Sequence, residues 1–237
     1  MEVGEMKISV LKLKDGARHA RGTTVIIDVF RAFSVEAYLF AMGVAEIVPV
    51  GEQKTAEELK KADGSVVLIG ERNGIKIDGF DYGNSPSQIL KGDLEGKKVV
   101  HTTSAGTQGI VNAVNADEIL VCGLVNALAT AEYIKEKNPE EVSLVAMGLN
   151  GVTPTQEDDL CAEYIKSILL GEPKDLSEQV KALRFTDGAK FFDPQRQEVF
   201  PQEDFWLCTA VDRFDFALKY FKTPDGLGVV KKVTVSK

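Results

Sequence analysis

The chain has 237 residues, a hydrophobic content of 44% and a formal net charge of −8, and it contains no linker or repeat. This length and apolar content predict one domain over residues 1–237, whereas the acidic balance argues against nucleic acid, whose phosphates need a basic face. There is no apolar run near the roughly 20 residues of a membrane span, no signal-peptide pattern at the N-terminus and no CxxC pair among the three cysteines, so we expect a cytoplasmic protein whose cysteines lie in the core.

Strand-like and helix-like segments alternate along the first part of the chain. Hydrophobic, β-branched runs predict strands over residues 7–13, 23–29, 45–50 and 65–69, and helical spacing predicts helices over 35–42 and 55–61. The stretch 70–85 is long, rich in glycine and without periodicity, which is typical of functional or disordered loops. A short helix is predicted to begin at Pro86, with Ser85 as its N-cap.

The same alternation continues in the second part. Strands are predicted over 99–102, 118–122 and 142–147, helices over 107–114, 126–137 and 160–169, and a closing hairpin over 214–221 and 227–235 around the turn at 224–226. Residues 172–205 give no clear pattern. The order of elements predicts a layered α/β domain with a mixed, largely parallel sheet and a C-terminal β-hairpin.

Four polar runs each follow a predicted strand directly. They contain Asp28, Glu71, Thr103 and Asp158, respectively. If the strands are parallel, these runs collect at one edge of the sheet, where open α/β sheets bind their ligands. A mixture of carboxylates, guanidinium groups and a Thr/Gly turn suits a metal ion and a negatively charged substrate.

The first two runs offer carboxylate and arginine side chains. Asp28 can bind a divalent metal, act as a nucleophile or merely cap the next turn. It lacks the second carboxylate of the Asp-x-Asp motif found in haloacid dehalogenase-type phosphatases. Glu71 and Arg72 between glycines form either a metal ligand beside a substrate clamp or a surface ion pair of little energetic value. Arg31 and Arg72 suit anionic groups because guanidinium binds them in a bidentate fork.

The third run, 102–107 (TTSAGT), is a candidate anion cradle. A strand-to-helix turn of this composition presents backbone N–H groups and hydroxyls at a helix start, although an ordinary capped helix explains it as well. It is neither a Walker loop nor a G-x-G-x-x-G loop.

The remaining polar residues are ambiguous. The acids at 157–159 either face the same site as Asp28 or simply favour a helix start through the helix dipole. His101 fits a core or supporting role, and His19 has no evident partner. Neither suggests a Ser-His-Asp triad, and no G-x-S-x-G elbow is present. The run 212–215 (DRFD) fits an ion pair that pins the final hairpin or a part of the site.

Taken in order, these runs resemble the 2-phosphosulfolactate phosphatase family, also called ComB-like. The matching segments are 27–32 (IDVFRA), 70–74 (GERNG), 80–86 (FDYGNSP), 102–107 (TTSAGT), 124–126 (LVN), 146–148 (AMG), 157–161 (EDDLC) and 212–215 (DRFD). The resemblance implies a three-layer α/β/α domain. It also implies a magnesium-dependent acid phosphatase that hydrolyses 2-phospho-3-sulfolactate to 3-sulfolactate and phosphate, a step of coenzyme M synthesis in methanogens.

On this resemblance the site residues can be assigned. Mg²⁺ would be held by Asp28 with Glu71 and Asp158, and Arg31 and Arg72 would join Asp28 and Glu71 in catalysis. The substrate would be bound by Asn84, Ser85, Thr103, Ser104, Gly106, Thr107 and Asn126. The partner expected is a small anionic phosphorylated molecule, with neither nucleic acid nor a membrane.

Several alternatives stay open at this point. Another small phosphorylated acid could be the substrate, or the protein could bind an anion without catalysis. The nucleophile could be water or a carboxylate, and the chain could be a monomer or a homo-oligomer.

Overall fold

A computed structural model describes residues 6–224 and 226–235 of the chain. The predicted turn position Asp225, and part of the N-terminal stretch 1–8 in which no signal peptide was expected, therefore lie outside the described residues. Within it, strands and helices alternate along most of the chain, as predicted.

The strands are β1 (Lys7–Lys12), β2 (Gly22–Ile27), β3 (Glu46–Pro49), β4 (Val67–Arg72), β5 (Ile75–Lys76), β6 (Lys98–Thr102), β7 (Ala116–Cys122), β8 (Glu141–Ala146), β9 (Phe216–Lys222) and β10 (Gly228–Thr234). The helices are α1 (Leu13–His19), α2 (Ala32–Ala41), α3 (Gln53–Ala62), α4 (Pro86–Ile89), α5 (Gly106–Asn112), α6 (Ala127–Lys137), α7 (Gln156–Leu169), α8 (Ser177–Leu183) and α9 (Gln202–Cys208). Short 3₁₀ segments lie at Leu124–Asn126 and Ala189–Phe192.

All of these strands form one mixed sheet in the order β1-β8-β2-β7-β9-β10-β3-β6-β4-β5. The group β1-β8-β2-β7 is parallel throughout, and so is the group β3-β6-β4. The antiparallel pair β9–β10 lies between the two groups. The predicted α/β class, the mixed and mostly parallel sheet and the C-terminal hairpin are therefore confirmed.

The two parallel groups run in opposite senses. Three antiparallel pairings, β7–β9, β9–β10 and β10–β3, separate them, so a flat sheet would place their carboxyl ends at opposite edges. The β10–β3 pairing consists of a single residue pair, Val230 and Ile47, which leaves the sheet able to bend there.

Contacts between the loops show that the carboxyl ends nevertheless converge. The backbone N–H of Gly106, after β6, donates a hydrogen bond to Asp28, after β2. The Asn150 amide, after β8, donates to the Asn73 side-chain oxygen, after β4, at 2.9 Å. The polar runs thus meet where two opposed groups of strands converge, and not along one common edge.

The core lies on both faces of the sheet. In β2, Ile26 belongs to one buried cluster, whereas Val25 and Ile27 belong to another, which explains why this strand is a continuous apolar run. Helix α5 approaches the sheet closely at Gly109, where a Cβ atom would lie 2.4 Å from the Ile26 side chain and 2.7 Å from Met147 Sδ. A larger residue at 109 would push α5, and the loop before it, away from the site.

Helix α2 is buried on almost every side, which its largely apolar sequence allows. The three cysteines Cys122, Cys161 and Cys208 are also buried, so their predicted place in the core is confirmed. Among the described residues, none of the helices combines the length and apolar character that crossing a membrane requires.

The segment without a sequence pattern, 172–205, forms α8, the second 3₁₀ segment and the start of α9. Its buried side chains Leu183, Phe191, Phe200 and Phe205 form a small separate cluster, against which Phe30 packs. This cluster fixes residues 187–200 beside the loop that follows β2.

Candidate active site

A cavity of about 370 Å³ lies where the strand-end loops meet residues 187–200. We call its lining residues Asp28, Glu71 and Ser104 the strand-end group, and Lys190, Arg196 and Phe200 the aromatic-basic group. Of the residues assigned from the motifs, Asp28, Arg31, Glu71, Asn84 and Ser104 line this cavity.

Asp28 lies directly after β2, at the starts of two helices. Its Oδ1 accepts a hydrogen bond from the Ala32 N–H of α2 at 3.1 Å, and the carboxylate also accepts one from the Gly106 N–H of α5. Burial raises the pKa of Asp28 to about 6; these bonds oppose the shift, and the negative charge of Glu71 adds to it. Asp28 is therefore a carboxylate that changes protonation near neutral pH.

Glu71 lies near the end of β4 and spans the next loop. Its Oε1 accepts from the Ser104 N–H at 2.7 Å, and its Oε2 accepts from the Gly74 N–H at 2.6 Å and the Ser104 hydroxyl at 3.2 Å. The loop 70–74 is thereby tied to the turn after β6.

The predicted anion cradle is already filled by groups of the protein itself. The Thr103 N–H donates to the Thr107 hydroxyl at 2.9 Å, and the Thr107 N–H donates to the Thr103 hydroxyl at 3.1 Å. The N–H groups of Ser104 and Gly106 are taken by Glu71 and Asp28. Thr103, Gly106 and Thr107 therefore form hydrogen bonds within the protein and do not line the cavity. Of the four residues predicted in this turn, Ser104 lines it.

Asp158 positions the two strand ends and does not line the cavity. Its Oδ1 accepts from the Val29 N–H and its Oδ2 from the Gly148 N–H, both at 2.8 Å, which joins the ends of β2 and β8. Burial, followed by the charges of Glu157 and Asp28, raises its pKa well above the usual range. Both oxygens of this carboxylate accept from backbone N–H groups, and the residue does not line the cavity, which does not favour the predicted role as a metal ligand.

The two other acids of this run have separate surroundings. Burial raises the pKa of Glu157 to about 7. Asp159 instead forms a partly exposed ion pair with Lys12 at 2.6 Å.

Arg31 lines the cavity, but most of its hydrogen-bonding capacity serves the fold. Its Nη1 donates to Asp204 Oδ2 at 2.7 Å and to the Val199 carbonyl at 3.0 Å, and its Nη2 donates to the Gly74 carbonyl at 3.2 Å. Its guanidinium also lies 4.9 Å from the centroid of the Phe200 ring. Arg31 thus links α2, the loop after β4 and the residues before α9.

Arg72 lies outside the cavity lining. It donates to the Glu71 carbonyl at 2.7 Å and to the Thr102 hydroxyl at 3.0 Å. These bonds brace the strand ends, so the predicted clamp role is not supported by its position.

Ser85 and Asn126 also have structural partners. The Ser85 hydroxyl donates to Asp204 Oδ1 at 3.0 Å and accepts from the Gln88 N–H at 3.4 Å as the N-cap of α4. Asn126 is fully buried and accepts from the Gly123 N–H at 3.0 Å, away from the cavity lining.

Asp212 takes part in the packing of helices. It accepts from the Leu128 N–H at 2.8 Å and from the Tyr164 hydroxyl at 2.6 Å, which connects α6 and α7. The run 212–215 was predicted to form an ion pair that pins the final hairpin or to be part of the site, and these contacts of Asp212 are hydrogen bonds that join two helices.

The motifs of the sequence did not indicate the cations of the aromatic-basic group. Within the described part of the chain, neither Lys190 nor Arg196 has an ion-pair partner within 4.0 Å. Lys190 Nζ lies 5.5 Å from the Phe191 ring centroid, and the Arg196 guanidinium lies 4.5 Å from that of Phe200. The interleaving of basic and aromatic residues over 184–200 is the signal that could have indicated them.

The donor set determines which metal the cavity could take. Across residues 6–224 and 226–235, no three His, Cys, Asp or Glu side chains are arranged to hold a metal ion. Asp28 and Glu71 both line the cavity, and an ionised carboxylate has more lone pairs than the N–H groups bound here occupy. Mg²⁺ commonly uses one or two carboxylates and takes its other ligands from water and substrate phosphate. The pair therefore fits Mg²⁺ shared with a phosphorylated ligand.

Comparison with known proteins gives the family. The family model of 2-phosphosulpholactate phosphatase matches residues 10–220. The "Probable 2-phosphosulfolactate phosphatase" of Bacillus subtilis is 34% identical over 199 residues, which cover 82% of this chain and 85% of the relative. Proteins of the same name from Caldanaerobacter subterraneus and Thermoplasma volcanium are 33% and 30% identical, covering 82% and 90% of this chain and 86% and 97% of theirs. The chain therefore belongs to the 2-phosphosulpholactate phosphatase family, a family of phosphoric monoester hydrolases, as the order of its motifs predicted.

Proposed function

We propose that this protein hydrolyses 2-phospho-3-sulfolactate to 3-sulfolactate and phosphate in the presence of Mg²⁺. The observation that carries the proposal is a single cavity lined by two buried carboxylates, Asp28 and Glu71, and by two cations, Lys190 and Arg196, that have no ion-pair partner in the described part of the chain. The names of the relatives support the same activity. The product would feed sulfolactate metabolism, including coenzyme M synthesis in cells that have that pathway.

The charge of the substrate explains why both groups are needed. 2-Phospho-3-sulfolactate carries phosphate, sulfonate and carboxylate, and a chain of net charge −8 must compensate for them locally. Lys190 and Arg196 provide positive charge on the cavity surface, where they would bind the sulfonate and the carboxylate. The phosphate would then lie toward Asp28 and Glu71.

Asp28 and Glu71 would hold Mg²⁺, which when bound neutralises charge on the phosphoryl oxygens and makes a coordinated water more acidic. The backbone N–H groups of Ala32 and Gly106 fix the Asp28 carboxylate, and those of Gly74 and Ser104 fix Glu71. Both carboxylates are therefore held in place before the ligand arrives, which reduces the entropy lost on reaching a reactive geometry.

Asp28 can take part in hydrolysis in two ways. It can accept the proton of an attacking water, or it can attack phosphorus itself. The stereochemical course at phosphorus separates them. With a substrate whose phosphoryl group is made chiral by oxygen isotopes and sulfur, inversion indicates one direct displacement by water, whereas retention indicates two displacements through an aspartyl phosphate.

The function is tested by phosphate release from 2-phospho-3-sulfolactate with Mg²⁺ and with EDTA. Phosphoglycerate, phospholactate and p-nitrophenyl phosphate serve as comparison substrates. We expect magnesium-dependent release that prefers the sulfonate. Release that prefers another phosphorylated acid would reassign the substrate, and tight binding without any release would indicate an anion-binding protein.

A further inference from the structure

A second pair of ionisable residues lies behind the cavity. Glu36 of α2 and His101 of β6 are both fully buried, and neither lines the cavity. The His101 ring nitrogen Nδ1 lies 2.8 Å from Glu36 Oε1. Burying a carboxylate and an imidazole in a core costs free energy of desolvation that apolar side chains of similar volume would not cost.

The pair connects to the cavity through Asn84. His101 Nε2 lies 3.2 Å from Asn84 Oδ1, and Asn84 lines the cavity. The Asn84 side-chain nitrogen has no hydrogen-bond partner in the described part of the chain, and the residue is 5% exposed. A chain of three side chains therefore runs from a buried carboxylate to an unpaired amide group at the ligand site.

The direction of the hydrogen bonds follows from the atoms. An amide oxygen only accepts, so the Nε2 atom of His101 must carry a proton. The short contact between Nδ1 and Glu36 Oε1 needs another proton, which sits either on the ring or on the carboxyl group. In both cases Glu36 and His101 together are neutral.

Burial favours this neutral pair. An ionised Glu36 beside a neutral ring would leave a net negative charge in the core, at a high cost of desolvation. Glu36 Oε2 also has no hydrogen-bond partner among the described residues, so nothing else would compensate that charge.

We propose that Glu36 and His101 are positioning residues that fix the Asn84 amide with its N–H groups toward the cavity, where they bind an anionic oxygen of the ligand. Only the identity of that ligand rests on the proposed function. With the amide reversed, the Asn84 carbonyl would face the anion and repel it. The buried pair thus makes this part of the cavity selective for acceptor groups.

The position of the proton on His101 tests the orientation directly. The chain contains two histidines, so ¹⁵N-histidine labelling with a His19→Gln variant as the assignment control gives resolved ring signals. We expect His101 Nε2 to be protonated in the unliganded protein. An unprotonated Nε2 would mean that Asn84 donates to the ring and presents its oxygen to the cavity, which would overturn the proposal. This readout needs no turnover, so it is independent of whether the phosphatase assignment holds.

Binding of inorganic phosphate, measured by calorimetry with Mg²⁺ present, tests the role of Asn84. We expect Asn84→Ala to weaken binding about tenfold or more, since a hydrogen bond to a charged group is lost. Asn84→Asp, which places a carboxylate at the anion, should weaken it further. Unchanged affinity in Asn84→Ala would overturn the proposal.

A double-mutant cycle tests whether His101 acts through Asn84. We expect His101→Phe to weaken phosphate binding in the wild-type background and to have little further effect in Asn84→Ala. Additive losses would show that His101 only supports the fold, contrary to the proposal. Tyr133→Phe is the matched control. It removes a hydrogen bond to Glu118 at 2.8 Å, neither residue lines the cavity, and phosphate affinity should be unchanged.

Glu36 variants keep the test decisive if His101→Phe fails to fold. In Glu36→Gln the new amide can donate to Nδ1, so Nε2 keeps its proton and Asn84 its orientation. Glu36→Met has a similar length but no hydrogen-bonding group. We expect Glu36→Gln to retain markedly more phosphate affinity than Glu36→Met, with Nε2 protonated. Equal losses in the two variants would contradict the positioning role.

Discussion

The strand-end group and the aromatic-basic group line the same cavity but depend on the sequence in different ways. Asp28, Glu71 and Ser104 each lie at or just after the end of a buried parallel strand. Lys190 and Arg196 lie in an irregular segment whose place is set by the aromatic cluster around Phe191 and Phe200. A site residue that follows a strand can be placed from local sequence, whereas the basic and aromatic composition of 184–200 indicates its cations without placing them at the cavity.

The two groups also differ in what holds them. The carboxylates of Asp28 and Glu71 are fixed by backbone N–H groups of neighbouring loops. The cations rest on aromatic rings, with no ion pair to them among residues 6–224 and 226–235. We therefore expect changes in the first group to affect mainly catalysis and changes in the second to affect mainly substrate binding.

The largest effect is expected at Asp28. Asp28→Asn should reduce kcat about a thousandfold or more, which corresponds to about 4 kcal/mol of transition-state stabilisation, because the carboxylate is needed for metal or proton binding. Steady-state kinetics and circular dichroism provide the measurement. Asp159→Asn is the matched control, since Asp159 pairs with Lys12 near the surface and should keep its activity. More than a tenth of wild-type kcat in Asp28→Asn would exclude Asp28 from the chemistry.

The second effect distinguishes Arg31 from the cations of the aromatic-basic group. Arg31→Met leaves the buried Asp204 carboxylate without its ion-pair partner, so we expect a loss of about 3–5 kcal/mol in the free energy of unfolding. Urea denaturation measures it. A loss below about 1 kcal/mol would mean that Arg31 is not the structural link described here.

The third effect concerns substrate affinity. Lys190→Met and Arg196→Met should each raise KM for 2-phospho-3-sulfolactate about tenfold or more with little change in kcat, because a charge-assisted contact to a non-reacting anion is lost. Lys181→Met, which removes an exposed ion pair with Glu178, is the control and should behave as wild type. A drop in kcat at constant KM would place Lys190 or Arg196 in the chemical step instead.

A separate effect, on stability and not on turnover, is the pH dependence of the free energy of unfolding without metal. Burial raises the pKa of Glu157 to about 7, so the folded protein binds this proton more tightly than the unfolded chain does. The resulting stabilisation is complete below the unfolded pKa of about 4.5 and is lost as pH rises through about 7. The free energy of unfolding of Glu157→Gln should therefore increase, relative to that of the wild type, by up to about 3 kcal/mol between pH 5 and pH 8. Urea titrations in EDTA at both pH values measure this, and an equal difference at the two would show that Glu157 is not buried as a shifted acid.

Much of the fold could be predicted because strands and helices leave local patterns. The apolar run before Asp28 and the helical spacing in α2 gave the correct elements. The position of β9 and β10 in the middle of the sheet could not be predicted, since it depends on pairing between residues far apart in sequence. The opposite senses of the two parallel groups follow from that insertion.

At the site, the sequence indicated which residues come together but not which way their polar atoms point. Thr103 and Thr107 were predicted to bind an anion, yet each caps the other, because buried donors and acceptors in the protein must first satisfy one another. Asp158 likewise lies near Asp28, but both of its carboxylate oxygens accept hydrogen bonds from backbone N–H groups. The order of helices and strands indicates which residues lie close together. The direction of their polar atoms depends on which neighbouring donors and acceptors they bind.

The most direct test compares phosphate release from 2-phospho-3-sulfolactate and from phospholactate, in the wild type and in Lys190→Met, with Mg²⁺ present. If the aromatic-basic group binds the sulfonate, wild-type kcat/KM should favour the sulfonated substrate about a hundredfold, and the variant should lose most of that preference. Equal kcat/KM for the two substrates in the wild type, or a preference that Lys190→Met leaves intact, would contradict the division of the cavity into a phosphate side and a sulfonate side.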